Sequence, residues 1–119
     1  MEAASMQIEY LEIVTPDVDA TCAALAQQNE TEFSDPVPEL GQARLANLSN
    51  GGRVGVRAPM AEHETPVVRP YKLVDDIEAA IANAQAAGAE FAMLATEVPG
   101  QGTFAIYMLG GIQHGLWQR

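Results

Sequence analysis

A segmental repeat constrains this chain more than any other feature. Pro16-Asp17-Val18-Asp19-Ala20-Thr21-Cys22-Ala23 matches Asp75-Asp76-Ile77-Glu78-Ala79-Ala80-Ile81-Ala82 in residue type at most positions, at an offset of 59. Gly51-Gly52-Arg53-Val54-Gly55-Val56 matches Gly111-Ile112-Gln113-His114-Gly115-Leu116 at an offset of 60, with both glycines and the final aliphatic in step. Two matches at nearly one offset imply that a supersecondary unit is duplicated, and a unit of this size buries too little apolar surface to stand alone. The 119 residues therefore read as one domain of two packed units, 6–59 and 67–119, joined by a polar linker at 60–66.

Each unit opens with a β-like run rich in branched and aromatic residues, Ile8 to Val14 and Val67 to Val74. A helix follows in both. Thr15 reads as an N-cap with Pro16 at the first helical position, and Asp75 followed by Glu78 reads as a capping box. Val18, Cys22 and Leu25 share one helical face, as do Ile77, Ile81, Ala84 and Gly88, so each helix carries an apolar stripe for a sheet to cover. Shorter β-like pieces come next: Glu32-Phe33, Ala43 to Leu48 and Arg53 to Arg57, then Glu90 to Leu94, Thr103 to Leu109 and Ile112 to Trp117. The unit is βαβββ, with Asn50-Gly51-Gly52 and Gly110-Gly111 as hairpin turns between the last two strands of each copy.

Charge and cysteine content narrow the partners. Sixteen carboxylates against six Lys and Arg give a net charge of −10, which repels phosphate backbones and anionic lipid surfaces, so neither nucleic acid nor membrane is expected as a partner. No run of apolar residues reaches the length of a membrane span, the opening residues carry no basic signal, and the single Cys22 forms no internal disulfide; together these predict a soluble, cytoplasmic protein. Cys22 itself, on a helix stripe, reads as buried packing.

The duplicated βαβββ order, with VDDIEAAIANAQAAGAE at 74–90 and GTFAIYMLGGIQHGLWQ at 102–118, resembles the vicinal oxygen chelate superfamily, the glyoxalase-like, extradiol-dioxygenase-like and bleomycin-resistance-like proteins. The resemblance runs from about Gln7 to Gln118 and implies an α+β fold. In it, two βαβββ modules form a curved mixed-sheet cup, with the helices on the outer face and the ligand inside. It also implies where a metal would be held in metal-dependent members: by a residue on the first strand of each unit, commonly His, and one on the last strand, commonly Glu. Counting back from the helix starts puts Tyr10 and Arg69 at the first-strand positions, and the pattern Gly115-Leu116-Trp117, with its repeat Gly55-Val56-Arg57, puts glycine at both last-strand positions. Glycine has no side-chain donor, so no metal site and no cofactor are expected here.

Strand residues alternate faces, so neighbours two away from each of these positions look the same way. The inward set is then Tyr10 with Glu12, Arg53 with Arg57, Arg69 with Tyr71, and Gln113 with Trp117. Three of six basic residues fall in it, and guanidinium forks hold carboxylate or phosphate in bidentate geometry, which points to an anionic small-molecule ligand. A plainer reading stands beside this one: Arg53 and Arg57 as strand residues paired with the chain's own carboxylates, and Trp117 as core filling. His114 points to the helix side as a structural ring, and His63, Glu62 and Glu64 read as a solvated linker. No catalytic-triad, P-loop or dinucleotide motif is present.

Three functions fit these residues. The first is a metal-independent binding protein of the glyoxalase and bleomycin-resistance type, with Arg69, Tyr71, Arg53, Arg57, Gln113 and Trp117 contacting an organic anion. The second is a lyase or isomerase in which Glu12 is the general base, Tyr10 a proton donor and Arg69 the stabiliser of a developing enolate. The third is an accessory subunit with a vestigial cup, its arginines satisfied by carboxylates. The resemblance and the uncovered sheet edges imply a homodimer in each case.

Overall fold

Seven strands and two α-helices form within residues 5–119, the part of the chain that the computed structural model describes. Among these residues, they fall into two compact units, one of Tyr10–Arg69 and one of Pro70–Arg119 with residues 5–9.

In the first unit, β1 (Ile8–Val14) runs parallel to β3 (Arg53–Arg57), and β2 (Arg44–Asn47) pairs antiparallel with β3, giving the order β2-β3-β1. The register sets Tyr10 opposite Arg53 and Glu12 opposite Gly55. Between β1 and β2 lies α1 (Val18–Asn29). It starts later than its sequence suggests, with Asp17 rather than Thr15 at the N-cap. The cause is tertiary: the Thr15 amide donates to the Arg57 carbonyl at 3.0 Å, keeping Thr15 in the ladder, while its hydroxyl accepts from the Asp17 amide at 3.2 Å. Cys22 is buried, as its place on the stripe demands, and that burial pushes its thiol pKa up.

Glu32-Phe33 does not form a strand. The segment after α1 is held instead by Ser34, whose amide donates to the Leu45 carbonyl at 2.8 Å, and by a single bridge between Val37 and Ala43. Pro36 and Pro38 lack the amide donors a ladder needs, so this unit is βαββ with a looped insertion.

The second unit keeps the full pattern. Its strands are β4 (Val67–Leu73, entering at Pro70), β5 (Glu90–Val98), β6 (Gly102–Leu109) and β7 (Ile112–Gln118) in the order β4-β7-β6-β5, with β4 and β7 parallel and the other pairs antiparallel. Strand β5 runs four residues beyond Leu94, and two register shifts break its pairing with β6, as befits an edge strand.

Helix α2 (Ile77–Ala86) is capped by Asp76, one residue after the expected Asp75. Its carboxylate accepts from the amides of Glu78 and Ala79 at 3.1 and 3.2 Å, so Glu78 sits too early for a capping box. The Gln118 side chain takes the Ile77 amide at 2.8 Å. Gly88 lies past the helix rather than on its stripe, at φ +100°, where it ends the helix in a conformation that side chains rarely adopt. The stripe covers the sheet through Ile77 and Ile81, packed in a buried cluster with Ala89, Ala105, Tyr107 and Leu116. Among the described residues, no helix is long and apolar enough to cross a membrane.

Candidate functional site

Alternation along β1 and β3 turns Tyr10, Glu12, Gly55 and Arg57 to one face, where they are buried along with Arg69. Tyr10 is 2% exposed, Arg57 3%, and Glu12 and Arg69 7% each. Charges this deep persist only when paired. Glu12 supplies the pairing: Oε2 accepts from Arg57 Nε at 2.7 Å, and Oε1 accepts from Arg69 Nη1.

The outer side of Arg57 is closed by Glu64, which accepts from Nη1 at 2.9 Å and Nη2 at 2.8 Å, while Nη1 also donates to the Ala58 carbonyl at 3.1 Å. Glu64 thus belongs to the site and not to a solvated linker. His63 and Glu62 beside it are exposed, as expected of the linker. The Arg57 fork, expected to receive a ligand's carboxylate, is occupied by the chain's own Glu12 and Glu64. Burial works against the charge on Arg57, but its bonds to Glu64 and Glu12 more than reverse that effect and hold it firmly protonated.

Those same Arg57 bonds hold the Glu64 carboxyl down, from the ordinary 4.5 to about 2, against partial burial and with help from the Met60 amide at 2.7 Å. A carboxyl depressed on folding adds stability that is complete above about pH 4.5 and fades as pH falls toward about 2. Urea denaturation across that window should therefore show a steeper loss for the wild type than for Glu64→Gln, which is weaker at neutral pH but nearly insensitive to this titration.

Tyr10 explains the first glycine. A Cβ on Gly55 would lie 1.8 Å from the Tyr10 hydroxyl oxygen and 2.5 Å from the ring carbon that bears it. Burial raises the Tyr10 hydroxyl pKa well above the usual phenol value, Glu12 adds to this, and Arg53 and Arg57 oppose it. Arg53 lies across the ladder from Tyr10, half-buried and with no carboxylate within ion-pair distance among the described residues.

The second unit repeats the arrangement with different chemistry. Tyr71 stands opposite Gly115, and a Cβ there would lie 2.2 Å from the Tyr71 ring. Tyr71 meets Trp117 edge to face at 5.7 Å and Phe104 at 6.0 Å, and Phe104 stacks on Trp117 at 6.1 Å. The indole N–H donates to the Gln101 carbonyl at 3.2 Å, so Trp117 is part of a packed aromatic group, as its plainer reading had it. Gln113 is half-buried opposite Met108. Of the expected site residues, the structure brings together Tyr10, Glu12, Arg57 and Arg69 in one unit and Tyr71 and Trp117 in the other. Sequence reasoning missed Glu64 and Phe104; an arginine at a strand end, a few residues ahead of linker carboxylates, was the available signal for Glu64.

No protein-family model matches the chain, and neither does any curated protein sequence. Solved structures do. A hypothetical protein, BH1468 from Bacillus halodurans C-125, superposes with a TM-score of 0.79 at 10% identity, over 98% of this chain and 96% of that one. Methylmalonyl-CoA epimerase from Mycobacterium tuberculosis gives 0.76 at 14% identity, over 99% and 92%. The chain has the glyoxalase-like fold. A third glyoxalase-like structure, a Streptomyces coelicolor methylmalonyl-CoA epimerase variant in complex with 2-nitronate-propionyl-CoA, gives 0.69 at 18% identity, over 96% and 98%. At such identities the likeness is one of fold. Among the described residues of this glyoxalase-like chain, no three His, Cys, Asp or Glu side chains gather to hold a metal ion.

Proposed function

We propose that this protein binds a small organic anion without a metal. One observation carries the reading: at both last-strand positions where the sequence resemblance implied a metal ligand, a tyrosine ring occupies the space a side chain would need, Tyr10 over Gly55 and Tyr71 over Gly115. Guanidinium chemistry is what remains on the Tyr10 face. Arg53 has no counter-carboxylate among the described residues, and Arg69 could exchange part of its contact with Glu12 for a ligand oxygen. On the second unit, Tyr71, Gln113 and Trp117 are proposed as aromatic and amide contacts for such a ligand. Exposed Met93 and Leu94 on edge strand β5 support assembly with a second copy.

An isomerase is the second reading, favoured by the epimerases of like fold, complexes of which hold 2-nitronate-propionyl-CoA or methylmalonyl-CoA. Against it stands Glu12, whose two oxygens are both engaged by arginines rather than open to a substrate proton. A thermal-shift screen of benzoate, phenylacetate and phenyl phosphate tests the first reading. At least one should raise the melting temperature, and Arg53→Ala, which breaks no ion pair, should abolish the rise. Hits unaffected by both Arg53→Ala and Arg69→Lys would overturn it. Exchange of the α-proton of a malonyl-type thioester with deuterated solvent, lost in Glu12→Gln, would favour the isomerase.

A further inference from the structure

The helix-covered face of the second unit carries a different polar group. Lys72, the only lysine in the chain, donates from Nζ to the Tyr107 hydroxyl at 2.9 Å, and no carboxylate lies within ion-pair distance of it among the described residues. The Tyr107 ring is fixed: His114 stacks on it at 5.1 Å, Phe91 packs against it at 5.2 Å, and the ring is buried. Its hydroxyl accepts from Lys72, which leaves the hydroxyl proton to donate. Two donors therefore converge at a rigid point.

That point opens on a cavity of about 440 Å³ whose other walls include Ala80, Ala84, Leu109 and Leu116. The volume lies within the roughly 300–1,000 Å³ common for small-molecule sites. An ammonium and a phenol at one end, with aliphatic walls beyond, match a carboxylate on a saturated tail. Such a ligand differs from the ring-bearing anion proposed for Arg53 and Arg69.

We propose that this cavity is a second binding site, for medium-chain aliphatic carboxylates, with Lys72 and Tyr107 holding the head group. Octanoate is the probe, followed by titration calorimetry and by NMR contacts to the Ala84 and Leu116 methyls. Octanoate should bind the wild type, and 1-octanol should bind about tenfold more weakly for want of a charge-assisted hydrogen bond. Lys72→Met, which keeps the stem and should leave the circular-dichroism spectrum unchanged, should weaken octanoate by about tenfold as well. Tyr107→Phe should weaken it to a lesser degree. Absence of binding at millimolar octanoate, or equal affinity in Lys72→Met, would overturn the proposal. So would octanoate binding that survives Lys72→Met but is lost in Arg53→Ala, which would put the tail-bearing anion in the other site.

Discussion

Replacing Glu12 with leucine should destabilise the protein by about 3–5 kcal/mol, the cost of breaking a buried ion pair and leaving its cations uncompensated. Glu12 pairs with Arg69 through one oxygen and holds the inner edge of Arg57 through the other. Arg57 keeps Glu64 in the variant, while Arg69, 7% exposed, loses its ion pair with Glu12. Urea denaturation should show a lowered midpoint with an unchanged slope. Removing the second charge should then restore stability: Glu12→Leu with Arg69→Met replaces a buried pair by apolar groups of similar volume, which is often neutral. If the single variant costs less than about 1 kcal/mol, the cluster is hydrated and its pairing contributes as little as a surface salt bridge.

The second large effect is at the glycines. Gly115→Ala places a methyl 2.2 Å from the Tyr71 ring, and Gly55→Ala places one 1.8 Å from the Tyr10 hydroxyl oxygen, distances at which something must move. Both rings are buried, and Tyr71 is further held by Phe104 and Trp117. Each substitution should cost about 3 kcal/mol, the upper end of ordinary overpacking. A double-mutant cycle isolates the cause. In a Tyr71→Ala background the cost of Gly115→Ala should fall below about 1 kcal/mol, because the clash has been removed, whereas additive costs would mean that the glycine is needed for its backbone and not for the ring.

Much of this was legible in the sequence, and the exceptions share a physical origin. The repeat and its alternation located Ile8–Val14 and Arg53–Arg57 to the residue and put Tyr10, Glu12 and Arg57 on one face. Glycines at Gly55 and Gly115 were visible as missing ligands, but not the rings that fill their places, because periodicity reports a side chain's face and not its reach. For the same reason it could not say which of sixteen carboxylates would meet Arg57; Glu64 does so from a linker with no periodicity at all. The start of α1 was misplaced because a bond from Thr15 to the carbonyl of Arg57, distant in sequence, overrides local capping preference. The missing strand at Glu32-Phe33 could have been found, since Pro36 and Pro38 argue against a ladder there.

Metal content is the most direct test of the central claim that tyrosine rings and arginines stand at the positions where the sequence resemblance implied metal ligands. The purified protein should be incubated with zinc, nickel, manganese and iron(II), desalted, and subjected to elemental analysis. The account predicts far less than one equivalent of any of these per chain, with no change for Tyr10→Ala or Arg69→Lys. One equivalent of a single metal, lost when Tyr10 or Glu12 is replaced, would contradict it.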